Sequence, residues 1–199
     1  SSSVEYWKNP FDGMKKVYTA GTSQDASAII SQIYSSGYSE RIIIQEYIDG
    51  GDSHMRVLTA FSDKNGKVRA MCLGHTMLEE HTPKGLGNHA AIVTEPLNDF
   101  PLTEKIKNML EDLSYTGFSN FDIKLRPGTD GKDFKVFEIN LRQGRSNYYV
   151  TAAGLNIARL ASEVFEDSGD SLELCCNRIF WHHVPRSVAY KYTEDDELI

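Results

Sequence analysis

A chain of 199 residues, 40% hydrophobic and 25% charged, has enough apolar material for one large domain or two small lobes with real cores. Its formal net charge of −7 argues against a generic binder of nucleic acid or anionic membrane, while leaving room for a local basic cluster that meets a phosphorylated small molecule. No apolar run reaches the roughly 18 residues of a membrane span, and Cys72, Cys175 and Cys176 form neither a disulfide framework nor a zinc-ligand spacing, which fits a reducing, cytoplasmic setting.

In chain order, residues 1–13 are polar and turn-rich, and "MKKVYTAG" reads as a short strand closed by Gly21. Thr22 or Ser23 can cap a helix through about Tyr34, with Ala26, Ile29, Ile30 and Ile33 at helical spacing and Gly37 as its stop. "RIIIQEYI", Arg41–Ile48, reads as a strong strand running into the turn "DGGD". "SHMRVLTAFS" and "KVRAMCLGHTMLEE" flank "DKNG", a hairpin signal at Asp63–Gly66. "HTPKGLGNHAA" then reads as a mobile loop over a site, or as plain surface connection. Thr103 is expected to cap a helix to about Tyr115 whose apolar face holds Ile106, Met109, Leu110 and Leu113. "FSNFDIKL" and "DFKVFEINL" make a second hairpin around "RPGTDGK", a helix spans about Thr151 to Phe165, and the last thirty residues are mixed. The order describes an α+β protein with mainly antiparallel pairing.

The second hairpin carries the chemistry. Side chains alternate faces along a strand, so Glu138 and Asn140 share one face while Phe137, Ile139 and Leu141 are expected to pack into the core from the other. Asp122 on the preceding strand joins them if the register allows, and oxygen donors on adjacent strands suit a hard cation such as Mg²⁺. Arg142 and Arg145 follow at once, and guanidinium fits phosphate or carboxylate. The plain alternative is a solvated sheet face with a salt bridge to Lys124 or Lys135. In "QEYIDGGD" two glycines could admit a flat ligand and Asp52 could accept from hydroxyls, although taken alone the stretch is better explained as a tight hairpin with an exposed acid. His54, His75, His81, His89, His182 and His183 are scattered, none beside a Cys or Asp at metal-site spacing, and no nucleophile elbow or Walker phosphate loop is present.

Together, "IIIQEYIDGGD", "NFDIKL" and "KVFEINLR" resemble the ATP-grasp enzymes. The resemblance implies an ATP-grasp fold of two small lobes, with mainly antiparallel sheets and packed helices. Residues 1–50 would form part of the small lobe, and 51–199 the large lobe with its metal-binding hairpin. It implies that Glu46, Tyr47 and Ile48 contact adenine, that Asp52 holds the ribose, and that Asp122, Glu138 and Asn140 hold Mg²⁺ against the phosphates of ATP. Arg142 and Arg145 would be catalytic, steadying a carboxylate or acyl phosphate, with Lys124 and Arg126 adding positive charge. "SVEYW" and "EINLRQGRSNYYVTAAG" are most similar to the carboxylate–amine ligases that include the D-aspartate ligases of the bacterial cell wall. That likeness implies activation of a small carboxylate such as D-aspartate for attack by an amine on a peptidoglycan precursor, with Arg145, Ser146 and Asn147 as substrate contacts. The family's preceding domain and phosphate-contacting lysines have no counterpart here, so the chain is expected to be a fragment holding most of the grasp domain, which alone binds ATP weakly or does not turn over. The competing reading is a non-catalytic nucleotide- or metal-binding module on the same scaffold; a plain interaction domain is the third.

Overall fold

The computed structural model describes residues 4–83, 85–129, 132–162, 171–175 and 177–193. They divide into two compact units, one of Ser1–Tyr47 with His81–Leu86, the other of Ile48–Glu80 with Gly87–Ile199.

The first unit holds α1 (Val4–Trp7) and α2 (Ser23–Ser35) around a small core of Tyr6, Ile33 and Tyr38. Thr22 caps α2, its hydroxyl accepting from Asp25 N at 3.1 Å, and Gly37 follows the helix at a positive φ of 98°. Neither "MKKVYTAG" nor Arg41–Ile48 forms a strand: both are irregular, with Ile43 and Ile44 exposed. Every strand among the described residues begins at Met55 or later, so the β-branched run has no ladder to join within its unit.

The second unit is built on one sheet. Its strands are β1 (Met55–Ser62), β2 (Val68–Glu79), β3 (His89–Glu95), β4 (Gly117–Leu125), β5 (Phe134–Asn140), β6 (Glu173–Leu174) and β7 (Phe180–His182), preceded by a 3-10 turn at Asp52–His54. The order is β5-β4-β1-β2-β3-β7; β6 pairs in parallel with β2, and every other pairing is antiparallel. The α+β class with a mainly antiparallel sheet is therefore what the chain adopts. β1 is buried along its whole length, because both faces of the sheet are covered. On one face Val57, Phe61 and Cys72 pack with Tyr149, Val150 and Leu160 from α4 (Tyr148–Ala152) and α5 (Ile157–Ser162). On the other, Leu58, Met71, Phe121 and Ile123 pack with Ile106 and Leu110 of α3 (Thr103–Asp112). A short α6 (Arg186–Tyr192) closes the described chain.

Several expectations are corrected. β3 begins inside the stretch read as loop, and β6 and β7 are too short to carry a periodic signal. Thr103 does not cap α3; its hydroxyl donates to Leu97 O at 3.0 Å, and Leu113 is exposed rather than on the apolar face. The single helix expected from Thr151 is two, because Gly154 takes a φ of 109° and Asn156 Oδ1 then accepts from Ala158 N and Arg159 N to start α5. Its expected end at Phe165, Cys176 and the acidic run after Thr193 lie outside the described residues. Cys72 and Cys175, 103 residues apart, are joined as a disulfide with Cα atoms 5.0 Å apart, so the cysteines do form a bridge that spacing in sequence could not reveal. Among the described residues no helix is long and apolar enough to cross a membrane.

Candidate active site

β4 and β5 set Asp122 opposite Glu138 and Asn120 opposite Asn140. Cross-strand partners share a face, so two carboxylates and two amides stand together. Their face is the one bearing Val57 and Thr59 of β1, which pair with Asp122 and Asn120. A register shift falls between Asp122 and Ile123, where Ile123 pairs with Val136 and leaves Phe137 as an extra residue on β5. This bulge resets the alternation. Phe134 and Val136 thereby join the α3 side, with the Phe134 ring 4.8 Å from Phe100, while Glu138 and Asn140 keep the opposite face. Strict alternation would have put all four on one face. Phe137, Ile139 and Leu141 do not pack into the core as expected; they are exposed, because β5 is the edge of the sheet.

Behind the oxygen donors lies a buried hydrogen-bonded layer that the sequence did not announce. Thr59 Oγ1 donates to Asn120 Oδ1 at 2.8 Å and shares a 3.0 Å bond with the Tyr149 hydroxyl, while Asn120 Nδ2 donates to Arg142 O. Tyr149 also donates to Cys72 O at 3.1 Å; burial pushes its phenol well above the ordinary range, and the Asp122 carboxylate adds to the shift. Gly144 lets the following turn close on this layer: a Cβ there would stand 2.7 Å from Asn147 Oδ1. Ser146 and Asn147, read as substrate contacts, are buried within it.

Arg142 is exposed but oriented, donating from Nη2 to Asn140 Oδ1 at 3.2 Å and from Nη1 to Gln143 O at 3.1 Å. Arg145 Nη2 lies 3.2 Å from Glu80 Oε1, which is also 3.2 Å from His183 Nε2. Arg126 Nε donates to Asp133 at 3.1 Å and Lys135 pairs with the same carboxylate at 2.8 Å; these contacts, that of Lys135 first, hold the Asp133 carboxyl below its usual range. Glu46 and Tyr47 are exposed in the first unit, whereas Ile48 and Asp52 belong to the second. Asp52 Oδ2 accepts from Glu79 N at 2.8 Å. His89, dismissed on sequence spacing, is buried with Nε2 3.5 Å from Asp122 Oδ1. Residues so distant in sequence meet only through the sheet.

The donor set fits a hard cation. Among the described residues no three His, Cys, Asp or Glu side chains form a ready cage. Two facing carboxylates with a neighbouring amide are instead what an ion such as Mg²⁺ uses when it keeps waters and substrate oxygens as its other ligands.

Fold and site thus define an α+β protein with an oxygen-donor hairpin flanked by arginines. Solved structures similar to it in chain path include the biotin carboxylase domain of a thermophilic 2-oxoglutarate carboxylase bound to bicarbonate (12% identity, 60% of this chain and 26% of that one, TM-score 0.45). N5-carboxyaminoimidazole synthetase from Staphylococcus aureus (15%, 66% and 32%, 0.44) and L-amino acid ligase from Bacillus licheniformis (14%, 60% and 30%, 0.40) are also among them. No protein-family model matches the chain. Over 99% of its length it is 41% identical to D-aspartate ligase of Enterococcus faecium (strain Aus0004), of which it covers 47%. Identity of that extent makes the two homologues, and the chain spans about half the length of the curated relative it matches.

Proposed function

We propose that the chain is the nucleotide- and metal-handling part of an ATP-dependent carboxylate–amine ligase of the ATP-grasp type. The observation that carries this reading is the β4–β5 register, which faces Asp122 with Glu138 and sets Asn140 and Arg142 beside them. Homology to a D-aspartate ligase supports it and points to D-aspartate as the carboxylate. In this reading the acceptor is an amine on a peptidoglycan precursor in the cytoplasm. Residues 1–50 would be part of the small lobe and 51–199 the large one.

In this account Asp122, Glu138 and Asn140 hold Mg²⁺, while Glu46, Tyr47, Ile48 and Asp52 hold the adenosine of ATP. Bound Mg²⁺ supplies neutralisation of phosphate charge. Arg142 has its guanidinium plane set by Asn140 Oδ1 and Gln143 O, so its remaining N–H groups can steady the attacking carboxylate and the acyl phosphate it becomes. Arg145, itself exposed while Glu80 keeps His183 as a second partner, can take a second anionic oxygen. A carboxylate oxygen displaces ADP at the γ-phosphorus to give an acyl phosphate. The amine then attacks the acyl carbon, phosphate leaves, and the nitrogen's surplus proton is released to the medium. Phosphoryl transfer of this kind asks for positioning and charge rather than a protein nucleophile.

Hydroxylamine tests this directly, because it traps an acyl phosphate as a coloured hydroxamate. With Mg²⁺, ATP and D-aspartate, the chain joined to the remaining part of the D-aspartate ligase it matches is expected to form hydroxamate and ADP together, and Arg142→Ala to reduce both by about 100-fold or more. ATP binding without hydroxamate from D-aspartate or other small carboxylates would instead favour a non-catalytic nucleotide-binding module.

A further inference from the structure

We infer that His89, held between Thr76 and Asp122, is a positioning residue for Asp122. The inference rests on the proposed metal role of the β4–β5 hairpin and extends it to residues on β2 and β3.

The geometry is specific. His89 opens β3 and is 9% exposed. Its Nδ1 lies 3.0 Å from Thr76 Oγ1 and 4.0 Å from Glu79 Oε1, and its Nε2 lies 3.5 Å from Asp122 Oδ1. Thr76 is fully buried, so its hydroxyl must find its partners nearby. With that hydroxyl donating to Nδ1, the ring proton sits on Nε2 and faces Asp122. One carboxylate oxygen is thus engaged from behind and the other is left for a ligand. A histidine that bridges a hydroxyl and a carboxylate is held in ring plane and tautomer by both.

Two intervening strands separate β3 from β4, and the reach across them has a structural cause. β2 carries register shifts between Thr76 and Leu78 and between Leu78 and Glu79. Bulges bend a strand and re-aim its side chains, here at the end of β2 that pairs with His89. Gly74 lets the side chains on this face pack closely over β2, since a Cβ there would stand 2.6 Å from Ile92 and 3.1 Å from Val57. Glu79 is fixed in turn, its backbone N–H donating to Asp52 Oδ2 at 2.8 Å.

Partners that orient a metal ligand from behind are typically worth 10–100-fold in metal affinity. The test is a Mn²⁺ titration followed by electron paramagnetic resonance, in the presence of ADP, on the parent, His89→Ala, His89→Gln and Glu138→Gln. His89→Ala is expected to weaken Mn²⁺ binding by about tenfold or more. His89→Gln, whose amide N–H can reach Asp122 from the same side, is expected to recover most of that loss, which a merely space-filling role would not give. Unchanged affinity in His89→Ala, alongside a loss in Glu138→Gln, overturns the inference and leaves the metal reading standing. Unchanged affinity in both overturns the two together. If His89→Ala does not fold, Thr76→Val replaces it: a weaker Mn²⁺ affinity supports the positioning role, and an unchanged one removes it.

Discussion

The Asp122 carboxylate stands opposite Glu138 of β5 and 3.5 Å from His89 of β3, so a substitution two strands away can act on it. A second polar group on the opposite face shows how charge is managed away from the site. Arg56 donates to Glu95 from Nε at 2.7 Å and from Nη2 at 3.2 Å, and His75 Nδ1 lies 3.0 Å from the same carboxylate. Burial alone would raise the Glu95 pKa, but hydrogen bonding by His75 and the charge of Arg56 outweigh it and hold the carboxyl below its usual range. Folded, Glu95 takes up a proton less readily than in the unfolded chain. Its stabilisation is therefore fully present above the ordinary glutamate pKa near 4.3 and is lost as the pH falls below it. Glu95→Gln is expected to cost about 3 kcal/mol at pH 7, since it leaves the Arg56 charge buried without its partner. In urea unfolding the gap between parent and variant should narrow as the pH is lowered from 5 to 3; a constant gap would contradict this account.

At the scale of elements, β5 shows why part of the site was legible in the sequence and part was not. The spacing of Glu138 and Asn140 puts both on one face whatever the surroundings, and so does that of Asn120 and Asp122, a signal present in "NFDIKL" but not used. Periodicity cannot disclose a bulge, however, and the extra residue Phe137 decides which half of β5 meets the core. Nor can it disclose which element lies at the edge, which is why Ile139 and Leu141 were expected inside and are exposed. Deleting Phe137 restores strict alternation and forces a choice between packing Phe134 on Phe100 and presenting Glu138 beside Asp122. The deletion is expected to lower stability by about 2 kcal/mol or more in urea, or to abolish Mn²⁺ binding, and a variant unchanged in both would contradict the role assigned to the bulge.

Across the whole molecule, the class of fold followed from the order of helices and hairpins, and the two hairpins fell where their turns predicted. What did not follow was everything that depends on distant pairing: β3 and β7 closing the sheet, the Cys72–Cys175 bridge, and His89 reaching Asp122. The strand expected at Arg41–Ile48 failed for the same reason in reverse, since its apolar residues are those of a strand but its unit offers no ladder. The central claim is that Asp122, Glu138 and Asn140 make a cation–nucleotide site, and thermal unfolding with and without Mg²⁺-ATP tests it most directly. A ligand that binds only the folded state raises the melting temperature by mass action, by about 5 °C for a chain of this size at ligand concentrations well above Kd. The account predicts such a rise in the parent, dependent on Mg²⁺ and lost in Glu138→Gln. No rise in the parent, or an equal rise in both proteins, would contradict it.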